Sequence, residues 1–123
     1  MTTSINLDFH SKRHSDFDLR RIARAMEQGF AEPVTAYLTD AFIMSRVGGG
    51  VVFGFEGDDP AGRNADGRVV QTAKVERVEK EGRFWVLTTV ERSRYVMATF
   101  RREGGRNSLR DHLQLTEAQG VLV

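Results

Sequence analysis

The stretch RFWVLTTVE, residues 83–91, is apolar on both faces of an extended chain. Phe84, Val86 and Val90 share one face with Thr88, while Trp85 and Leu87 share the other with Thr89. Successive side chains of a strand point to opposite sides. This segment must therefore be covered twice, by a helix on one side and something else on the other. The segment SRYVMATFRR, residues 93–102, repeats the pattern with Val96, Ala98 and Phe100 opposite Tyr95, Met97 and Thr99. Upstream, Val69, Ala73 and Val75 share a face, but Val78 falls on the other parity, which predicts a bulge near Glu76-Arg77. EKEGR supplies a turn, so residues 68–102 read as an antiparallel meander of three strands.

Earlier segments extend the sheet. In GGGVVFGFEG, Val51, Phe53 and Phe55 alternate, and Gly54 suggests a bulge or a close backbone approach. Gly48, Gly49 and Gly50 read as a flexible turn; no Lys-Ser/Thr follows, so they are not a phosphate loop. Residues 34–46 allow either a helix or two short strands, PVTAYLT and AFIMSRV, and their β-branched and aromatic content favours the strands. Five or six short strands suit a small, bent antiparallel sheet or an SH3-like β-barrel.

One helix is explicit. In SDFDLRRIARAMEQGF, Leu19, Ile22, Ala23, Met26 and Phe30 form an apolar stripe at helical spacing. Ser15 with Asp18 fits a capping box, and Gly29 fits the C-terminal stop. The other face, with Arg20, Arg21, Arg24, Glu27 and Gln28, reads as a solvated surface or as a site for acidic protein or phosphate. The fold class expected is α+β: an N-terminal amphipathic helix packed on the sheet or barrel. A chain of 123 residues is one domain, with residues 1–14 as a flexible arm. The tail from Asn107 allows a short helix, capped by Ser108 with Asp111, or a last strand.

Charge and chemistry narrow the function. Fifteen of the 18 basic residues are arginine, the residue that pairs carboxylate and phosphate bidentately, yet the net charge is only +1. There is no cysteine, no apolar N-terminal leader, and no run near the roughly 20 residues that span a bilayer. A cytoplasmic protein without membrane contact is expected. The loop GDDPAGRNADG lacks the spacing and the closing glutamate of a calcium loop. His10 and His14 stand four apart but have no HExxH glutamate and no third ligand, so both are expected to be exposed. No nucleophile elbow or nucleotide fingerprint is present. No metal, cofactor or catalytic set is expected.

Gly62-Arg63, Asp66-Gly67, Thr72, Val75, Thr88-Thr89, Ser93 and Tyr95 together resemble a pattern in small uncharacterised proteins of phages and other mobile elements. The resemblance covers about a third of the chain. Where that family often has Thr-Ser, this chain has Thr72-Ala73. The resemblance implies a compact β-module and a mobile-element origin; the family brings no established activity. Physically, Thr72 and Thr88 or Thr89 are candidates to pair across strands.

The expected function is a non-enzymatic binding protein, a phage or mobile-element accessory or anti-defence factor that acts through a protein partner. The surplus apolar face, Trp85, Leu87, Tyr95 and Met97, would be its interface, and a homodimer the simplest cover. An arginine cluster, Arg92, Arg94, Arg101, Arg102, Arg106 and Arg110, would meet an anionic partner. One alternative is a nucleic-acid-binding barrel in which Phe84, Trp85 and Tyr95 stack bases beside those arginines. A second is a small-ligand pocket or enzyme. Interspersed acids and the lack of a uniform basic stripe rank protein above nucleic acid.

Overall fold

A computed structural model describes residues 14–122, with side chains described through residue 116. The expected arm therefore lies outside the described residues, His14 excepted. Among the described residues the class is α+β, with two helices and a five-stranded, mainly antiparallel sheet. In chain order the elements are α1 (Asp16–Gln28), β1 (Ala36–Met44), β2 (Val47–Phe53), β3 (Val69–Glu81), β4 (Phe84–Thr89), β5 (Arg94–Met97) and α2 (Gly105–Leu122). Each strand pairs antiparallel with the next. β5 then lies parallel to β1, with Ala36 opposite Tyr95 and Leu38 opposite Met97, and the ladder closes into a barrel. A wholly antiparallel sheet was expected; this one parallel contact joins strands far apart in sequence.

Residues 34–46 hold one strand, Ala36–Met44, not two. β1 shifts register between Thr39 and Phe42, where Asp40 takes a left-handed φ of 54°. The shift inverts the side-chain parity, so Ala36 and Leu38 before it and Ala41 and Ile43 after it all face the core. That inversion is what imitated helical spacing. The hairpin to β2 turns at Ser45 and Arg46, both left-handed at φ 53° and 63°, the twist that a two-residue hairpin favours. The glycine triplet is therefore not a turn. It lies within β2, where a Cβ on Gly48 would sit 2.6 Å from Leu87 Cδ1, and one on Gly49 would enter the Phe42 ring. The predicted β3 bulge is present between Val75 and Arg77.

Two apolar clusters explain why β4 and β5 carry no solvated face. Inside the barrel, Leu38, Ile43, Val52, Leu87 and Met97 pack together, and α2 contributes Leu109. Outside it, Phe84, Val86 and Val96 are covered by Ala25 of α1 and flanked by Phe30, Val34 and Tyr37. The proposed interface is thus mostly barrel interior. Leu87 and Met97 are essentially inaccessible, Tyr95 is buried and Trp85 is half-buried against the same cluster. The apolar surplus that called for a second copy is covered by the chain itself.

α1 keeps its predicted caps. The Asp18 amide donates to Ser15 Oγ at 3.0 Å, the Ser15 amide donates to Asp18 Oδ2 at 3.2 Å, and Gly29 ends the helix at φ 75°. Its docking face differs from the expected stripe. Ile22 and Ala25 are buried, whereas Leu19 and Met26 are exposed. Polar contacts rotate the helix. Thr99 Oγ1 donates to Asp18 Oδ1, Arg21 Nε donates to Ala98 O, and Gln28 Nε2 donates to Glu81 O. Among the described residues no helix is long and apolar enough to cross a membrane.

Candidate anion-binding cleft

The chain after β5 is positioned from β1. The Ala41 amide donates to Thr99 O, the Arg101 amide donates to Ala41 O, and Ala41 bridges Phe100. α2 then starts hard against the same strand. A Cβ at Gly105 would stand 2.7 Å from Ala41 O, and Ser108 Oγ accepts from the Ile43 amide at 3.0 Å while donating to Gly105 O. Ser108 is therefore a brace inside α2 and not the cap that its spacing with Asp111 suggested. The Gly104-Gly105 corner opens a cleft of about 420 Å³ between α1 and the start of α2.

Four arginines line this cleft: Arg21 from α1, Arg101 and Arg102 from the connection, and Arg106 from α2. Three of them rest on aromatic rings, Arg21 on Phe84 and the other two as follows. The Arg101 guanidinium lies 3.7 Å from the centre of the Phe42 ring, and Arg106 lies 4.7 Å from that of Phe100. Such cation–π contacts contribute about 0.5–1 kcal/mol at exposed sites, and they hold the planar groups in place. Phe42 pairs with Gly49, whose missing side chain gives the ring its seat. The glycine triplet thus reaches the cleft through Phe42 and Arg101. The N-terminal end of α2 adds positive partial charge. Phe17 lines the same cleft and is 58% exposed.

A second cleft of about 350 Å³ adjoins the first through Arg21, and is lined by Arg24, Glu27, Gln28, Arg83 and Phe84. Arg21 lies 4.5 Å over the Phe84 ring and forms the wall that both clefts share. Burial, and then the Arg24, Arg106 and Arg83 charges, push Arg21 below its ordinary arginine value. Cations from both clefts therefore act on one guanidinium. This is a basic track that the linear sequence does not display.

The expected arginine cluster divides. Arg101, Arg102 and Arg106 line the cleft, and Arg110 is exposed one turn further along α2. Arg92 occupies the β4–β5 turn at φ 70° and does not line it. Arg94 is structural. It is buried, its NH2 pairs with Glu81 Oε2, and its NH1 donates to Glu32 O at 2.7 Å. It ties the segment after α1 to the β3–β4 hairpin. Phe84 and Tyr95 are buried, so the expected base-stacking platform is not on the surface. Arg21, Arg24, Arg83, Phe17 and Asn107 were not read as one site. Only the arginines of α1 carried a signal, and that signal read first as a solvated face.

Other polar residues serve the fold. Asp59 accepts from the Arg63 and Asn64 amides and Asp66 from the Gly54 amide, so these loop acids cap turns. Thr72 Oγ1 accepts from the Gly48 amide and donates to Ala73 O; it does not pair with Thr88 or Thr89, which face Arg77 and Val75 in the register. His14 is half-buried edge-on to Phe53 and is not the exposed residue expected; His10 lies outside the described residues. No protein-family model matches the chain, and no curated protein or solved structure is significantly similar to it.

Proposed function

We propose that the chain is a non-enzymatic binding module, a small barrel that engages a polyanionic partner through the arginine-lined cleft. The observation that carries this reading is the convergence of Arg21, Arg101, Arg102 and Arg106 from three segments, three of them seated over aromatic rings. Arginine forks of this kind match phosphate and carboxylate oxygens. Asp59, Asp66, Glu81, Thr72 and Ser108 brace turns and strands, which ties them to the fold. An accessory role in a phage or mobile element suits a module that only grips.

The test is retention on immobilised heparin. The variant Arg101→Ala/Arg102→Ala/Arg106→Ala should elute at clearly lower salt than the parent, while still unfolding cooperatively with a midpoint lowered by no more than the two lost ring contacts explain. Equal elution of the two proteins would overturn the reading.

A further inference from the structure

Along the sequence the basic residues are interspersed with acids, a pattern that favours a protein partner with an acidic surface. The fold removes that reason, because it lines up guanidiniums along two clefts that share a wall. Resting on the anion-binding reading, we infer that the occupant is a single-stranded nucleic acid, laid from the start of α2 across Arg21 to Arg24 and Arg83.

Three observations favour this occupant. First, the two clefts share Arg21, so the positive charge forms an elongated track rather than one pocket. A lone small anion would be satisfied within the first cleft, and a backbone with successive phosphates uses both. Second, Phe17 presents an exposed ring at the edge of the arginine cleft. A ring beside a basic groove is what a base stacks on, whatever its identity, whereas an acidic peptide gains nothing specific from it. Third, Asn107 lines the cleft beside Arg106, and its amide offers both a donor and an acceptor to an unpaired base edge. Glu27 is the acidic residue in the lining of either cleft, and it sits in the second. Guanidiniums and a ring engage phosphates and the face of any base, so binding should be sequence-tolerant.

The experiment is fluorescence anisotropy of labelled oligothymidylates of about 4 and about 12 nucleotides, the range that small barrels cover, with poly-glutamate as competitor. The longer strand should bind more tightly. Arg24→Ala/Arg83→Ala should weaken the longer strand by a larger factor than the shorter one. Phe17→Ala should weaken both by about fivefold or more without altering the salt dependence. Arg102→Ala and Arg106→Ala should each reduce the slope of log K against log salt by about 0.7. If heparin and poly-glutamate bind at the cleft but neither oligonucleotide does, the inference fails while the anion-binding reading stands. If the Arg24/Arg83 and Phe17 variants bind the longer strand like the parent, the inference also fails. If no polyanion binds, both fail.

Discussion

Leu87 and Gly48 face each other across the barrel interior, and that contact permits a quantitative test of the packing. Leu87 is fully buried, and a Cβ at Gly48 would lie 2.6 Å from its Cδ1 and 3.3 Å from Thr72 Cγ2. Leu87→Ala removes three carbons, worth about 2.4 kcal/mol in transfer at about 0.8 kcal/mol each. The cavity left behind brings the cost to about 3–4 kcal/mol, within the usual range of about 2–5. Gly48→Ala alone overpacks the interior at a cost of about 1–3 kcal/mol, reduced by up to about 1 kcal/mol because the unfolded chain loses freedom. In the double variant the new methyl group occupies the space that Leu87 vacates. The clash disappears and part of the cavity is refilled, so the pair should cost about 3 kcal/mol, some 2 kcal/mol less than the sum. Urea unfolding of the four proteins, with slopes checked for equality, measures this coupling. Additivity within about 0.5 kcal/mol would show that Gly48 and Leu87 do not meet and that the barrel interior is wrongly assigned.

Further outcomes follow from other contacts. Arg94→Ala should destabilise by about 2–4 kcal/mol in the same assay, because it strands the partly buried Glu81 carboxylate and frees the segment after α1; a cost below about 1 kcal/mol would count against the tie. Ser108→Ala leaves the Ile43 amide without its acceptor and should cost about 1–3 kcal/mol. Gly49→Val should displace Phe42 and with it Arg101, weakening heparin retention as well as stability. Burial, and then the Arg46 charge, push His112 below its ordinary value of 6.5. The unfolded chain therefore binds the proton more readily, so stability from this group is full above about 6.5 and falls as the pH drops toward the folded value. In His112→Gln that segment of the stability–pH curve should flatten.

Local rules were readable where local contacts decide. The Ser15–Asp18 box, the Gly29 stop and the Val75–Arg77 bulge each depend on residues a few positions apart. The two-sided apolar pattern of residues 83–100 also told correctly that both faces are covered. What it left open was the nature of the second cover. That cover comes from β1 curling back beside β5 and from α2 closing on β1, contacts between segments up to 65 residues apart. The face of α1 was misread because apolar spacing weighs Leu19 and Met26 above Asp18 and Arg21. In the fold, the bonds of Asp18 to Thr99 and of Arg21 to Ala98 set the rotation. The candidate site was half legible for the same reason. Arg101, Arg102 and Arg106 are neighbours in sequence, but Arg21, Arg24 and Arg83 join them only once α1 lies on the barrel.

Amide chemical shifts during titration with a polyanion test the binding cleft most directly, because they locate contact without altering the protein. With heparin fragments or an oligothymidylate, the largest changes should fall on Phe17, Arg21 and residues 99–107, and extend to Arg24 and Arg83 for the longer nucleic-acid strand. They should shrink as salt is added. Changes centred instead on the β1–β2 hairpin at Ser45-Arg46 or on the 57–67 loop, or no saturable change at all, would contradict the assignment of the cleft as the binding site.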